Sequence, residues 1–403
     1  MSERRPTVAV VMATYNRAHF IGAALDSLLG QTRVPDEIHV IDDGSTDDTA
    51  ATVAAYGDRV NLARQPNQGR PAAFNRVIPE IRTDYIWLFD DDDLALPDAL
   101  ARHLDFLGRN PQYDFSYSPH YFFEHTLTTD GAQANPVMEW PADPPESFLL
   151  WLMESHFVPA QLQGMLIPTR CFRQVGSFDE TLLRSQDHDF LLRLARHCRA
   201  GRIDAPTWAF RQHRGQRGAG GAAHDEASRY HVWRQYQQTI YRRVRATLDL
   251  AEYLPPSQRA DVGGPAEASP PPGERRLALL RRGAIMSIHG LPEAAVEDFR
   301  LYGAVHDPAD ARITEEERTH ISRLGNVDNR ETRPPLAYFR TLGRLAHARR
   351  GALSALLRGA YWSVRREWRA GRYGDVVVLA PTLMSLCLGY GVGWIRRPST
   401  PGG

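Results

Sequence analysis

Residues 84–94 read DYIWLFDDDDL, an apolar and aromatic run that ends in four consecutive aspartates. The run from Tyr85 to Phe89 has the length and composition of a buried strand. Four adjacent carboxylates repel one another, so folding alone gives no reason to place them at the end of such a strand. A divalent cation with a phosphorylated ligand would neutralise them, because Mg²⁺ and Mn²⁺ prefer oxygen ligands. The alternative is a solvated acidic loop or a helix N-terminus, where Asp is also favoured.

Short apolar runs alternate with helical patterns through the first ninety residues. We predict strands over 7–13, 37–41, 60–63 and 85–89, and helices over 20–29, 46–56 and 72–81. This alternation is typical of βαβ units, and it predicts an α/β fold with a mostly parallel sheet covered by helices on both faces. Ligands bind beyond the carboxyl ends of such strands. Those ends carry three polar clusters, at 14–16, 42–43 and 90–93.

The pattern continues to about residue 215 and then changes. Further strands are predicted over 113–124 and 203–210, and helices over 97–107, within 140–157 and over 187–194; the segment 162–167 is apolar. We expect a first domain over 1–218, a helical connector over 219–260, a Pro/Gly-rich linker over 261–273 and a mainly helical extension over 274–403.

The apolar segment 376–395 holds no charged residue and lies in an Arg-rich region. Twenty apolar residues can span a bilayer. Because the segment contains Pro381 and three glycines, we favour a buried or interfacial helix over a membrane span. The arginines suit peripheral contact with an anionic membrane surface, and an ordinary solvated helix face is the alternative.

Composition narrows the class of protein. The chain has 403 residues, a formal net charge of zero and three cysteines. It is long enough for two domains, and we predict no nucleic-acid partner. So few, widely spaced cysteines predict neither a disulfide framework nor a zinc site. The first residues carry no signal-peptide pattern, so we expect a cytoplasmic location, at the inner face of the membrane if the C-terminal region contacts it.

Several motifs resemble one enzyme family. Over about residues 6–215 the chain is similar to family 2 glycosyltransferases with the GT-A fold, whereas the C-terminal half is not recognised. The motifs are VAVVMATYNR (8–17), LDSLLGQT (25–32), EIHVIDDGSTDD (37–48), NQG (67–69) with AAFN (72–75), DDDD (90–93) followed by Pro97, VGSFDE (175–180) and QDHD (186–189).

This resemblance implies transfer of a sugar from a nucleotide-sugar donor to an acceptor hydroxyl, with inversion at the anomeric carbon. Ala13 and Tyr15 match positions that hold the nucleobase and ribose, and Asn67 a position beside the nucleoside. Asp43 matches an acidic residue that hydrogen-bonds the base, typically uracil or thymine, so a UDP- or dTDP-type donor is favoured. The alternative for Asp43 is a turn residue before Gly44.

The resemblance also implies a metal and a base. Asp90 and Asp92 match the outer and inner carboxylates of an Asp-X-Asp element that holds Mn²⁺ or Mg²⁺, with Asp92 in direct contact. Asp91 would touch the ribose or the donor sugar, and Asp93 is structural. His213 follows the last core strand, where some relatives supply a further metal ligand; the alternative is a plain loop residue.

Asp187 matches the catalytic carboxylate that takes the proton of the acceptor hydroxyl, and its alternative role is a helix cap. The chain departs from many relatives at two further positions. Gln186 stands where they carry Glu, and Phe74 where they carry Arg; Arg70 is a candidate to compensate for the missing arginine.

Processive family members carry a Gln-X-X-Arg-Trp element, and this sequence has no Arg-Trp pair. We therefore expect transfer of one sugar to a glycan, lipid-linked or protein acceptor, in bacterial surface glycan synthesis. Two alternatives remain. A sugar nucleotidyltransferase would need a glycine-rich basic loop after the first strand, which ATYNR (13–17) lacks. A non-catalytic glycan- or nucleotide-binding scaffold would have no need of Asp92 and Asp187.

Overall fold

The chain forms two compact units, Met1–Trp233 and Arg234–Gly403, in a computed structural model. The structure describes residues 4–124, 140, 142–155, 158–212, 229–259, 270–305 and 313–325, with the single residues 341 and 365. The finer domain boundaries expected from the sequence remain predictions.

The first unit is built on a seven-stranded sheet. In spatial order its strands are β3 (Asn61–Arg64), β2 (Glu37–Asp42), β1 (Val8–Thr14), β4 (Tyr85–Leu88), β8 (Met165–Pro168), β6 (Phe115–Tyr117) and β9 (Ala200–Arg202). Neighbours are parallel except at β8, which is antiparallel to both β4 and β6. The predicted α/β class with a mostly parallel sheet is confirmed.

Helices follow the strands along the first unit. They are α1 (Ala18–Leu29), α2 (Thr49–Ala54), α3 (Arg70–Val77), α4 (Ala99–Arg109), α5 (Phe148–Glu154), α6 (Thr169–Val175) and α7 (Gln186–His197). Side chains alternate across a strand, so Val8, Val10 and Met12 share one face of β1. They belong to the same buried cluster as Leu25 of α1. Because residues on the opposite face of β1 are also fully buried, both faces of the sheet are covered.

A second, three-stranded sheet has the order β5 (Leu94–Ala95), β10 (Trp208–Arg211) and β7 (His120–Phe123). The single strand predicted over 113–124 is wrong, because it is divided into β6 and β7, which belong to different sheets. Pro119 lies at the break, and proline lacks the N–H that a continuous ladder needs. Since β5 directly follows the four aspartates, the second sheet brings the end of β10 to the acidic loop.

The second unit is helical where the structure describes it, as expected. It contains the later part of α8 (Arg229–Thr247), then α9 (Pro272–Ile288), α10 (Pro292–Ala304) and α11 (Glu315–Gly325). No helix in the described part of the chain is both long and apolar enough to cross a membrane. The segment 376–395 lies outside the described residues.

A buried carboxylate joins three of these helices. Asp298 of α10 has a fully buried side chain and accepts hydrogen bonds from Arg282 of α9 at 2.6 Å and Arg245 of α8 at 3.1 Å. Arg245 also pairs with Glu297 at 2.8 Å, but the Glu297 side chain is 62% exposed. The two carboxylates therefore share a partner and differ in burial.

We expect Asp298→Ala to lower the free energy of unfolding by about 3–5 kcal/mol, because it leaves two guanidinium groups without their buried partner. The matched change Glu297→Ala removes a solvent-screened pair and should cost less than about 1 kcal/mol. Urea denaturation of the full chain, followed by helical circular dichroism, measures both values. Equal costs for the two variants would contradict the role given to Asp298.

Candidate active site

Three loops meet at the carboxyl ends of β1, β2 and β4. The Asn16 backbone N–H donates to Ser45 Oγ at 2.9 Å, and Thr46 donates back to Asn16 Oδ1 at 2.8 Å. Arg17 Nε lies 3.7 Å from an oxygen of Asp91. The polar clusters after the three strands therefore form one surface. Thr46 and Asp47 both donate to Asn16 and Asp48 occupies the N-cap position of the helix, so α2 begins at Thr49 rather than at 46 as predicted.

The residues matched to nucleoside binding lie on the β1–β2 side of this surface. Ala13 of β1 is half-buried and pairs with Ile41, while Tyr15 is 38% exposed. Asn67 is exposed, and its backbone nitrogen would lie 2.9 Å from a Cβ at Gly44. Gly44 has a φ of +85°, so glycine is required there both by conformation and by this close approach.

Asp43 is buried and holds the loop before α3. Its Oδ1 accepts from Gln65 Nε2 at 2.8 Å and from the Gln68 N–H at 2.9 Å, and its Oδ2 accepts from the Gly69 N–H at 2.8 Å. These bonds shape the turn that places Arg70 at the first position of α3. Sequence reasoning missed this role, and contact of Asp43 with a base remains a prediction.

Three of the four consecutive aspartates form a cluster. Asp90, Asp92 and Asp93 each offer a carboxylate oxygen, and these oxygens all lie within 4.8 Å of one another. Oxygen donors at this spacing fit a hard cation such as Mg²⁺ or Mn²⁺. Asp91 instead faces Arg17. His213, the further ligand expected from the resemblance, lies outside the described residues.

Gln163 connects two carboxylates of the cluster. It lies in the 3₁₀ turn Leu162–Gly164 and donates through Nε2 to Asp90 Oδ2 at 2.6 Å and to Asp93 Oδ2 at 3.1 Å. The Trp87 indole donates to the Gln163 carbonyl at 2.7 Å and fixes the turn. No local signal marks Gln163, because it lies 73 residues from Asp90 along the chain.

Arg211 holds the acidic loop from the second sheet. Its backbone N–H donates to Asp93 Oδ1 at 2.9 Å, and its Nε donates to the Asp92 carbonyl at 2.8 Å. The guanidinium carbon lies 5.0 Å from the ring centre of Phe20 and 4.4 Å from that of Phe123. Arg211 therefore positions Asp92 and Asp93, which supports the structural role expected of Asp93.

We expect Arg211→Met to lower the free energy of unfolding by about 2–3 kcal/mol, because a charged hydrogen bond and two ring contacts are lost. It should also weaken Mn²⁺ binding, since Asp92 loses its support. Arg211→Lys should be intermediate, and Arg102→Met, which removes an exposed pair on α4, should change neither quantity. Thermal melting and Mn²⁺ titration test this; unchanged Mn²⁺ affinity in Arg211→Met would contradict it.

Arg70 points into the acidic cluster. Its Nη2 donates to Asp90 Oδ1 and its Nη1 donates to Asp90 Oδ2 at 3.3 Å, a bidentate pair. The guanidinium carbon lies 5.0 Å from the ring centre of Phe74, one turn further along α3. Arg70 thus brings a cation to the acidic cluster and the Phe74 ring supports it, whereas its role as a substitute for an arginine at position 74 stays a prediction.

Burial raises the pKa of both Asp90 and Asp91. The pKa of Asp90 rises to about 6, because burial and the charges of Asp92 and Asp187 outweigh the opposing effect of Arg70. The pKa of Asp91 rises to about 8, through burial and the charge of Asp92, opposed by Arg17. At neutral pH a pKa of about 6 leaves Asp90 mostly ionised, whereas a pKa of about 8 favours the protonated form of Asp91. Both raised pKa values reflect crowded negative charge, which a divalent cation would relieve on binding.

Asp187 lies in the first turn of α7 and is half-buried. Its Oδ1 accepts from the N–H of His188 at 2.8 Å. Burial opposes ionisation of Arg70, but the charges of Asp90 and Asp187 raise the Arg70 pKa. Asp187 also contributes to the raised pKa of Asp90. The charge of the carboxylate matched to the base therefore acts on two groups of the site, Arg70 and Asp90.

Comparison with known sequences agrees with this description. Residues 9–173 match the family "Glycosyl transferase family 2". An uncharacterised glycosyltransferase of Rickettsia typhi is 27% identical over 191 residues, which are 47% of this chain and 59% of that protein. The chondroitin synthase of Pasteurella multocida is 29% identical over 196 residues, 48% of this chain and 19% of that protein. The match thus covers about half of this chain and less than two thirds of each relative.

Two solved structures are similar over most of the chain. S. aureus TarS 1–349 in complex with UDP gives a TM-score of 0.48 at 15% identity, covering 91% of this chain and 92% of that chain. The mannosyltransferase PcManGT of Pyrobaculum calidifontis, with GDP-Man and Mn²⁺, gives 0.43 at 15% identity, covering 98% and 89%. The sequence match confirms a family 2 glycosyl transferase region over residues 9–173.

Proposed function

We propose that the protein is an inverting, metal-dependent glycosyltransferase that moves one sugar from a nucleoside-diphosphate sugar to an acceptor hydroxyl. The observation that supports the proposal best is the cluster of Asp90, Asp92 and Asp93, whose carboxylate oxygens lie within 4.8 Å of one another in the region that matches family 2. The charge of Asp187 acts on Arg70, the same cation that pairs with Asp90. A carboxylate base and an acidic cation site are the two parts that this reaction needs. Relatives described as glycosyltransferases support the reaction class.

Binding of the donor is assigned to the loops after β1, β2 and β3. Tyr15 and Ala13 would hold the base and ribose, and Asn67 lies on the same side. Asp43 would orient this pocket through the loop it holds, and a UDP- or dTDP-type donor stays favoured by the resemblance. Asp91, at the junction with Arg17, would contact the ribose or the sugar.

Asp92 and Asp90 would hold Mn²⁺ or Mg²⁺. When bound, the cation supplies charge neutralisation to the departing diphosphate. The acceptor oxygen forms a bond to the anomeric carbon from the face opposite the diphosphate, and the carbon–oxygen bond to the diphosphate breaks with its electron pair on the leaving oxygen. Asp187 takes the proton of the acceptor hydroxyl in that step. Attack from the opposite face inverts the configuration.

The acceptor is a glycan, a lipid-linked glycan or a protein in this proposal, and bacterial surface glycan synthesis is the setting. The chondroitin synthase among the relatives supports a glycan acceptor, because a synthase of that name extends a glycan and its match covers 48% of this chain. Cytoplasmic location and contact of the Arg-rich C-terminal region with a membrane belong to the proposal as well.

A panel of UDP-, dTDP- and GDP-sugars with Mn²⁺ tests the function on the full chain. A true donor should raise the melting temperature, because a ligand that prefers the folded state stabilises it by about 2.7 kcal/mol at one hundred times its Kd. With a true donor and Mn²⁺, the protein should also release the nucleoside diphosphate slowly. The anomeric configuration of a transferred sugar shows whether the reaction inverts. A scaffold would shift the melting temperature without nucleotide release, and no response to any donor would refute the proposal.

A further inference from the structure

We infer that Arg70 is a built-in counter-ion of the acidic cluster and that it competes with a divalent cation for Asp90. The inference rests on the proposed function, because it concerns the cation that Asp90 and Asp92 would bind. Arg70 already occupies the Asp90 carboxylate, which is one part of that proposed cation site.

Most hydrogen-bonding positions of the Asp90 carboxylate are already occupied by groups of the protein. Arg70 donates to both of its oxygens, and Gln163 Nε2 donates to Oδ2 at 2.6 Å. A carboxylate offers about four lone-pair positions, and three are taken here. A divalent cation that binds Asp90 would have to share an oxygen with the guanidinium group. Two like charges would then lie in contact, so the guanidinium and the cation are alternatives at Asp90.

Arg70 is held in its position by the loop before it and by the helix that it begins. Gly69, with a φ of +91°, ends the loop that Asp43 holds, and α3 begins at Arg70. The Phe74 ring supports the guanidinium from the same helix, because residues four apart share a helix face. Arg70 is therefore directed toward Asp90 by its surroundings, and its release carries a cost that lowers the apparent metal affinity.

The partners of Asp93 provide a contrast. Gln163 is neutral, and the group of Arg211 that contacts the Asp93 carboxylate at 2.9 Å is a backbone N–H. These two donor groups carry no full charge and can remain in place beside a metal ion. The Arg211 guanidinium, which interacts with the charges of Asp92 and Asp93, donates through Nε to the Asp92 carbonyl, a neutral group. Arg70 is thus the partner of Asp90 whose charge conflicts with metal binding.

Arg17 provides a matched control for simple electrostatics. It is also half-buried, and its Nε lies 3.7 Å from Asp91, the neighbour of Asp90 in sequence. Removing Arg17 takes one positive charge from the same site but frees no oxygen of Asp90. A general field effect would appear in both variants, whereas competition for Asp90 would appear only at position 70.

The experiment is a Mn²⁺ titration of the full chain without nucleotide, with free Mn²⁺ measured by electron paramagnetic resonance. We expect Arg70→Met to bind Mn²⁺ at least tenfold more tightly than the natural chain, and Arg17→Met less than threefold more tightly. Arg70→Gln, which keeps a hydrogen-bond donor but no charge, serves as a second variant should Arg70→Met fail to fold. It should also bind more tightly, and thermal melting confirms the folding of each variant.

Equal or weaker Mn²⁺ binding in both position-70 variants would overturn the inference, as would an equal gain in Arg17→Met. The fate of the proposed function is read separately, from nucleotide release by the natural chain. If that chain transfers sugar with Mn²⁺ while Arg70→Met binds Mn²⁺ no more tightly, competition is wrong and the function stands. If Arg70→Met binds Mn²⁺ more tightly but the natural chain uses no donor, the competition is confirmed and the proposed function is wrong.

Discussion

Asp187→Asn should lower the rate of sugar transfer by about 10²–10⁴-fold while the affinity for the donor stays nearly unchanged. The amide has the shape of the carboxylate but cannot accept the proton of the acceptor hydroxyl, and general-base catalysis contributes a factor of this size. The expected loss is therefore in kcat, with the donor Kd and the melting temperature close to those of the natural chain. Initial rates with saturating donor and acceptor, together with donor titration, measure the two quantities.

Asp189→Asn is the matched control for Asp187. It makes the same chemical change on the same helix, but Asp189 is bonded to Arg193 at 3.0 and 2.9 Å instead of acting on Arg70. We expect this control to lose stability and to keep its turnover per folded molecule. A transfer rate in Asp187→Asn within threefold of the natural value would show that another group takes the proton.

Asp92→Ala should weaken donor binding and transfer together, each by about a hundredfold or more. A metal ion contributes several kcal/mol to the stabilisation of phosphate charge, and Asp92 is the proposed direct ligand. The Mn²⁺-dependent rise in melting temperature with donor should disappear in this variant. Thermal melting with and without Mn²⁺, at fixed donor concentration, measures that loss.

Asp98→Asn controls for a nearby carboxylate, since Asp98 forms an exposed pair with Arg102 and lies before α4. Its donor-induced shift should match that of the natural chain. If Asp92→Ala keeps its full Mn²⁺-dependent shift, the assignment of Asp92 as metal ligand is wrong. The acidic loop would then serve another purpose, such as holding Arg211.

Much of the first unit follows from local sequence patterns. The strand that precedes Asp90 and the order of strands and α-helices up to β4 are predictable, because burial on both faces requires continuous apolar runs of strand length. The short strand β5 is missed. The predicted start of α2 is wrong, since Asn16 accepts hydrogen bonds from Thr46 and Asp47 and keeps both residues in the loop. The strand over 113–124 was wrong because one proline redirects the chain into a second sheet.

The partners of the predicted site residues were less accessible to sequence reasoning. Gln163 and Arg211 reach the aspartates from 73 and 118 residues away, and neither lies in a recognisable spacing. Asp43 was identified as a site residue, but the three bonds that shape the loop before α3 depend on the paths of two separate segments. Arg70 was noted only as a substitute for the arginine missing at position 74.

Local sequence patterns establish which carboxylates follow a buried strand and which carboxylate lies in the first turn of a helix, since both features depend on periodicity and neighbouring residues. The pairing of Arg70 with Asp90, and the hydrogen bonds of Gln163 and Arg211 to Asp93, become apparent in the folded chain alone. Such contacts depend on where separate segments meet after packing, and side-chain spacing along the chain carries no direct record of that. The local pattern thus predicts the carboxylates of the site, whereas the fold determines which side chains contact them.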